Sequence, residues 1–194
     1  TKDDIIEFTS LIEKNSQLLM VLISDILDLS KIESNTMEFN FCNISLHQVL
    51  NEIGSAQRMN MKKGVELLLD LPGQEITIAT DPTRLSQIIN NLVNNAIKFT
   101  SEGNIRIGYR PATCNRVKIF VEDTGTGMAK EVIEHIFDRF YKGDAFKQGT
   151  GLGLAICRSI VESHHGKIWL TSEEGEGTRA FLYLPLQKEE GVLR

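Results

Sequence analysis

The 194-residue sequence has little of what marks several broad classes of protein. Its three cysteines, Cys42, Cys114 and Cys157, form no C-x-x-C pair that could open a zinc site or a redox motif, and they favour a reducing compartment. The longest apolar run, residues 18–23, is far shorter than the ~20 residues of a membrane-spanning helix. The first residues do not resemble a secretory signal. A targeted or membrane-spanning segment is therefore not expected here.

An excess of positive charge is also lacking. The 21 Lys and Arg residues are outnumbered by 26 Asp and Glu, which gives a formal net charge of −5. A surface of this balance does not attract nucleic acid or anionic lipid as a whole, so a general nucleic-acid binder is not expected. The hydrophobic fraction of 41% is that of a folded, soluble protein, and the length corresponds to one full domain with a small attachment.

The chain begins with a long segment, residues 3–33, that contains neither glycine nor proline. Its apolar residues recur in a heptad rhythm at Ile5, Phe8, Ile12, Leu19, Leu22, Ile26 and Leu29. This spacing predicts one helix of a helical bundle, and further apolar residues widen the stripe so that the helix needs more than one neighbour. The alternative is a terminal helix packed on its own domain.

Helices alternate with strands in the rest of the chain. Ser45 is a helix cap, and the helix that it opens is expected to run to about Lys63. Asp81 and Pro82 open a second helix that runs to about Phe99. Short runs of alternating apolar residues between the helices predict strands. The expected fold class is α+β, a two-layer α/β sandwich in which helices cover one face of a mixed sheet.

Three places in this domain suggest chemistry. The first is a helix face that carries Asn91, Asn95 and Lys98 at spacings of three and four residues. Amide oxygens beside an ammonium group suit Mg²⁺ and phosphate, although a solvated polar face explains the same residues. The second is residues 123–128 (DTGTGM), where a carboxylate at a strand end precedes two glycines that let backbone approach a flat ring. The third is residues 149–154 (GTGLGL), glycines that lead into a helix N-terminus and so suit phosphate.

Other phosphate-binding and kinase motifs are missing. The sequence has no G-x-x-x-x-G-K-[ST], and the glycine run follows a polar stretch instead of a strand, which argues against a Rossmann fingerprint. Neither His-Arg-Asp nor Asp-Phe-Gly occurs, so the fold of Ser/Thr/Tyr protein kinases is excluded.

Taken together, the motifs resemble those of one family, the bacterial sensor histidine kinases of two-component systems. Residues 91–100 (NLVNNAIKFT) resemble its N box, 123–128 its G1 box, 137–140 (FDRF) its F box and 149–154 its G2 box. They stand in the family's order across residues 35–186. The resemblance implies the Bergerat-type ATPase fold of the GHKL group, with ATP and Mg²⁺ as ligands.

The resemblance also implies roles for single residues. Asn95 holds Mg²⁺, while Asn91 and Lys98 contact the phosphates or the water shell of the metal. Asp123 accepts a hydrogen bond from the adenine amino group. The ATPase relatives of this fold carry a glutamate at the position of Asn91, where it activates water. An amide cannot act as a base, so hydrolysis of ATP is expected to be slow.

The remaining implied roles belong to loops. Gly125 and Gly127 let the chain pass close to the base. Phe137 and Phe140 anchor a lid, residues 141–148, and Arg139 lies near the phosphates. The segment implied to receive the triphosphate comprises Gly149, Thr150, Gly151, Leu152 and Gly153.

Residues 26–33 (ILDLSKIE) similarly resemble the end of the second helix of the family's dimerisation and phosphotransfer hairpin. The implied organisation is that hairpin helix over residues 1–34, the ATP-binding domain over 35–186 and a tail or linker over 187–194. The helix is expected to self-associate, since its apolar stripe normally packs against the other hairpin helix and a second subunit.

The implied activity is transfer of the γ-phosphoryl group of ATP to a histidine and then to an aspartate of a response-regulator receiver domain. That histidine would lie on a phosphoacceptor helix of the same or the partner subunit of a cytoplasmic or membrane-anchored homodimer. The four histidines present are expected to be structural or surface residues, namely His47, His135, His164 and His165. Two alternatives are a non-catalytic nucleotide-binding or dimerisation module and a serine-directed kinase of the anti-sigma type, which the hairpin helix disfavours.

Overall fold

A computed structural model describes residues 2–143 and 149–187 of the chain. The first element, α1 (Lys2–Glu33), is a single helix of 32 residues, as the heptad pattern and the absence of glycine and proline predict. The later helices are α2 (Leu46–Arg58), α3 (Pro82–Phe99), α4 (Lys130–His135) and α5 (Gly153–Ser163). The strands are β1 (Cys42–Ser45), β2 (Val65–Asp70), β3 (Thr77–Thr80), β4 (Gly103–Ala112), β5 (Arg116–Asp123), β6 (Lys167–Glu173) and β7 (Gly177–Pro185).

Five of the strands form one mixed sheet in the order β2-β4-β5-β7-β6. Strand β2 runs parallel to β4, and the other neighbours are antiparallel. Strands β1 and β3 pair separately as a short antiparallel ribbon. The register places Asp123, the last residue of β5, opposite Thr178 of β7, which brings these two residues to the same edge of the sheet.

Alternation along the strands separates an inner from an outer sheet face. The inner face carries Ile105 and Ile107 of β4, Ile119 of β5 and Leu182 of β7, all fully buried against α2, α3 and α5. The outer face lacks a helical layer among the described residues, and it carries aromatic rings and cations. Trp169 stacks on Phe181 there, and Lys118 lies over the Phe181 ring at 5.3 Å. The two-layer α+β sandwich is thus confirmed.

Both predicted helix caps are present. The side chain of Ser45 accepts from the Gln48 amide, and that of Asp81 accepts from the amides of Thr83 and Arg84. The end of α2 differs from the prediction, because the helix stops at Arg58 rather than near Lys63. The following segment turns back, and the Lys62 ammonium donates to the carbonyls of Lys98 and Thr100 at the end of α3.

Helix α1 packs on the domain only with its second half. Leu29 is buried, and Leu18, Leu22 and Ile32 are half-buried at the same three- and four-residue spacing. The first half presents its large apolar side chains to solvent. No helix in residues 2–143 and 149–187 is long and apolar enough to cross a membrane.

Candidate functional site

A cavity of about 340 Å³ lies where α1, α3, the edge of the sheet and the glycine-rich segment before α5 meet. Eight of the residues predicted from the motifs line it: Asn91, Asn95, Lys98, Asp123, Gly149, Thr150, Gly151 and Gly153. They come from three separate stretches of sequence, and only the fold brings them together. The cavity is therefore the candidate site.

One wall is the polar face of α3, whose opposite face is buried in the core. The Asn91 amide lies 3.5 Å from the Gly153 carbonyl oxygen and from the Cys157 sulfur, so it points toward the start of α5. The Asn95 side chain makes no hydrogen bond with any residue in the described part of the chain. The Lys98 ammonium lies 4.9 Å from the centre of the Phe99 ring. Two amides and an ammonium group thus face one cavity, which suits an anion and a hard cation.

Asp123 forms the opposite, sheet side of the cavity. One carboxylate oxygen accepts from the Gly125 amide at 2.9 Å. Burial raises the pKa of this carboxyl, while hydrogen bonds from the backbone of Gly125 and Thr178 oppose the rise. A half-buried, oriented carboxylate of this kind accepts well from an amino group, and apolar Val121, Leu170 and Ala180 line the cavity beside it.

Backbone conformation and close packing require glycine at one position in each of the two loops. Gly127 has a φ of +64°, and a Cβ there would overlap the Glu173 carbonyl at the β6–β7 turn. Gly151 has a φ of +73°, and a Cβ there would lie 2.8 Å from the Phe140 backbone. Only glycine meets both demands at these positions. Gly125 and Gly127 do not line the cavity. That they let the chain pass close to a nucleotide base stays a prediction.

Other residues of the motifs also lie outside the cavity wall. Leu152 is fully buried and Phe137 packs on the core. Phe140 is exposed, with a φ of +61°. Arg139 forms an ion pair with Glu33 of α1. Of the predicted lid, Tyr141 to Gly143 line the cavity, and residues 144–148 lie outside the described part of the chain.

Helix α1 contributes a wall that the motifs did not reveal. Leu18, Val21 and Asp25 line the cavity, and Asp25 Oδ2 accepts from the Thr150 hydroxyl at 2.9 Å. The only feature of the sequence that pointed to this contact was a carboxylate within an apolar heptad segment. Since α1 and Thr150 are far apart in sequence, periodicity alone does not reveal the contact.

None of the four histidines lines this cavity within residues 2–143 and 149–187. His47 hydrogen-bonds the Tyr109 hydroxyl, and His135 pairs with Asp138 at 2.8 Å. His164 is buried between the rings of Phe39 and Phe41. Their surroundings are those of structural and surface residues.

All three cysteines are unpaired, Cys42 and Cys114 at the surface and Cys157 in the core. Burial raises the pKa of the Cys157 thiol to about 12, so it is an inert part of the core behind Asn91.

Residues 80–188 match the family described as histidine kinase-, DNA gyrase B-, and HSP90-like ATPase. The sensor protein kinase WalK of Staphylococcus aureus is 34% identical over 188 residues, which are 93% of this chain and 45% of that protein. The chain spans less than half the length of that relative. The match nevertheless includes both α1 and the domain that follows it.

Two solved kinases share the fold. Full-length ShkA in complex with AMPPNP superposes with a TM-score of 0.85 at 26% identity, over 97% of this chain and 40% of that one. The catalytic domain of histidine kinase ThkA has a TM-score of 0.69 at 31% identity, over 80% of this chain and 100% of that one. ThkA in complex with the response regulator protein TrrA gives a TM-score of 0.75 at 25% identity, over 95% of this chain and 52% of that one.

This chain belongs to the histidine kinase-, DNA gyrase B- and HSP90-like ATPase family, and within it to the ATP-binding catalytic domains of sensor histidine kinases.

Proposed function

We propose that the chain binds ATP with Mg²⁺ in this cavity and transfers the γ-phosphoryl group to a histidine of a phosphoacceptor helix. The observation that carries the proposal is the convergence of Asn91, Asn95 and Lys98 with Asp123 and the segment 149–153 on one cavity. The two sides of the cavity match the two ends of a nucleotide. The carboxylate suits the base, and the amides, the ammonium group and the backbone N–H groups on the other side suit the phosphates. The ShkA relative was solved with AMPPNP, which supports a triphosphate ligand.

The adenine end is assigned to Asp123. Its carboxylate is held by the Gly125 amide and stands beside apolar side chains that suit a flat base. Accepting from the exocyclic amine distinguishes adenine from guanine, which presents an oxygen at that position. The Gly125 amide in the neighbouring turn helps to fix the direction of the carboxylate.

The phosphate end is assigned to the start of α5 and the face of α3. No side chain in residues 2–143 and 149–187 caps the N-terminus of α5, so its first amides remain available to phosphate oxygens. The Asn95 amide oxygen fits Mg²⁺, which prefers oxygen ligands and keeps several of its waters. When bound, the metal would offset negative charge on the phosphates. Asn91 and Lys98 would hold the phosphates or the metal's water shell. Arg139 would reach the phosphates only after leaving Glu33, and Phe140 would anchor the lid.

ATP is expected to be held for transfer rather than hydrolysed. Asn91 occupies the cavity wall beside Gly153, and an amide has no basic lone pair with which to activate water. Slow steady hydrolysis with retained binding is the expected behaviour of this chain on its own. The proposed place of action is the cytoplasm, where ATP is present, and the intact protein is compatible with a membrane anchor outside these residues.

The proposed acceptor belongs to a hairpin of which residues 1–34 are the second helix. The chain's own histidines do not face the cavity, so the phosphoacceptor helix is proposed to come from the same or the partner subunit of a homodimer. Exposed Ile5, Phe8 and Ile12 on α1 support such an assembly. The ThkA–TrrA complex supports a response-regulator receiver domain as the next acceptor, and residues 187–194 are proposed to be a tail or linker.

Calorimetric titration of ATP and Mg²⁺ tests the binding site. We expect micromolar to sub-millimolar affinity for the wild type, loss of binding in Asp123→Asn, and loss of the Mg²⁺ dependence in Asn95→Ala. Asp138→Asn is a matched control, because this exposed carboxylate pairs with His135 and lies outside the cavity. A folded wild type that binds no ATP would contradict the proposal.

Phosphotransfer itself is tested by adding, in trans, a hairpin helix that carries the acceptor histidine, together with radiolabelled ATP. Acid-labile phosphate on the added helix supports the kinase. ATP binding without any transfer would instead favour a nucleotide-binding regulatory module.

A further inference from the structure

The contact between Asp25 and Thr150 joins α1 to the glycine-rich segment inside the cavity. Asp25 is 8% exposed, lines the cavity, and accepts from the Thr150 hydroxyl at 2.9 Å. The same Thr150 oxygen accepts from the Leu152 amide at 3.1 Å. The carboxylate therefore stands at the start of α5, in the part of the cavity assigned to phosphate.

A hydroxyl group has one hydrogen to donate. In this arrangement the Thr150 hydrogen is committed to Asp25, so it cannot also be donated to a phosphate oxygen. A carboxylate at this place also repels the negative charge that each phosphate adds, and partial burial strengthens the repulsion. Burial raises the pKa of the Asp25 carboxyl, the hydrogen bond from Thr150 opposes the rise, and the charge of Asp28 adds to it.

We propose that the Asp25 carboxylate is an internal competitor of the nucleotide phosphates, so that docking of α1 on the cavity and binding of a triphosphate oppose each other. This inference rests on the proposed function. It makes Asp25 a residue that sets the preference among nucleotides of different phosphate number while α1 is docked. Adenosine, which carries no phosphate, is unaffected by it.

Docking of α1 does not depend on Asp25 alone, which allows a controlled test. One turn further along, Asp28 accepts two hydrogen bonds from Arg84, at 2.9 and 3.0 Å, and one from Gln87 at 2.8 Å. Asp28 does not line the cavity. Asp25→Asn and Asp28→Asn thus remove the same charge from the same helix, but only the first removes it from the cavity wall.

The test is calorimetric titration of adenosine, ADP and ATP, with Mg²⁺, into the whole chain and the two variants. The amide in Asp25→Asn still accepts from Thr150, and circular dichroism verifies folding. We expect Asp25→Asn to bind ATP about tenfold more tightly and ADP less than tenfold more tightly, with adenosine unchanged. Asp28→Asn keeps Asp25 in the cavity wall but weakens the ion pair with Arg84, so its gain for ATP is expected to be smaller than that of Asp25→Asn.

Three results would overturn the inference: equal ATP affinity in wild type and Asp25→Asn, an equal gain in both variants, or weaker ATP binding in Asp25→Asn. In each of these cases adenosine binding persists, which leaves the proposed function standing. If neither adenosine nor ATP binds any of the three proteins, the proposed function fails and the inference fails with it.

A second readout follows the helix. Because coupling between two sites is reciprocal, ATP should loosen the docked half of α1. Hydrogen exchange of residues 18–33 should become faster with ATP but not with adenosine, and the ATP effect should shrink in Asp25→Asn. Unchanged exchange on adding saturating ATP to the wild type would contradict the proposal.

Discussion

The two halves of α1 differ in their surroundings although they form one continuous helix. The first half exposes its apolar side chains, with Ile5, Phe8 and Ile12 each about two thirds exposed. The second half buries Leu29 and directs two carboxylates, Asp25 and Asp28, at the domain. One heptad pattern thus serves two surfaces, and apolar spacing alone does not reveal where one gives way to the other.

The difference lies in what holds each half. The exposed apolar stripe of the first half is unfavourable in water, and we expect a partner helix to cover it. The docked half packs Leu29 and Ile32 on the core and adds hydrogen-bonded carboxylates, and such hydrogen bonds are individually modest. The first half is therefore suited to lasting association, while the second is suited to reversible docking. Three experiments test this contrast, and a fourth concerns the segment that follows α1.

The largest effect is expected from replacing Ile5, Phe8 and Ile12 together by serine. If these side chains are buried in a dimer, each contributes about 1.5–3 kcal/mol, and the variant should be a monomer at tens of micromolar by light scattering. The free energy of unfolding of the domain should change by less than about 0.5 kcal/mol. Met59→Ser, a change of another highly exposed apolar residue, should leave the association intact. A monomeric wild type at tens of micromolar would contradict the assignment.

Arg84→Ala tests the docked half. Without the guanidinium, Asp28 keeps only Gln87 as a partner, and an uncompensated buried charge costs about 3–5 kcal/mol unless it returns to water. Because the helix can undock and return Asp28 to water, we expect the loss of stability to be no larger than the free energy of docking. Hydrogen exchange of residues 18–33 should accelerate while that of β4 and β5 stays unchanged. Slow hydrogen exchange of α1 in this variant would show that the apolar contacts alone are sufficient to hold the helix on the domain.

A smaller, pH-dependent effect concerns the segment that follows α1. Phe39 and Phe41 enclose His164, and burial lowers the pKa of this histidine below its usual 6.5. Since the unfolded chain binds the proton more readily, the stabilisation is complete above pH 6.5 and is lost as the pH falls through the lowered pKa. Urea midpoints at pH 7.5 and 5.5 should differ less in His164→Leu than in the wild type. His165→Gln changes the exposed neighbour, which makes the smallest contribution to the lowered pKa of His164, and it should reduce the wild-type difference only slightly.

The smallest effect is expected at the end of α1. Glu33 and Arg139 form an ion pair in which both side chains are about half exposed. Water screens such a pair, so Glu33→Gln should change the free energy of unfolding by no more than about 0.5 kcal/mol. A loss of several kcal/mol in urea unfolding would make this pair a main docking contact.

The sequence predicted the elements better than their contacts. Ser45 and Asp81 cap their helices as expected, because capping depends on a few neighbouring residues. Asn91, Asn95 and Lys98 were placed on one face by helical spacing alone. The partners of Asp25 and Arg139 could not be predicted, since each contact joins residues more than 100 positions apart. Such pairs depend on the position in which α1 packs on the domain, and no local sequence pattern determines that position.

The outer sheet face has a practical consequence for spectroscopy. Trp169 is the only tryptophan of the chain, and it stacks on Phe181 on the side of the sheet opposite the inward-facing Leu170 of the cavity wall. Its fluorescence should therefore report unfolding of the sheet while remaining nearly insensitive to ligands in the cavity. Stability and nucleotide affinity can thus be followed in one sample through separate signals, without an added label.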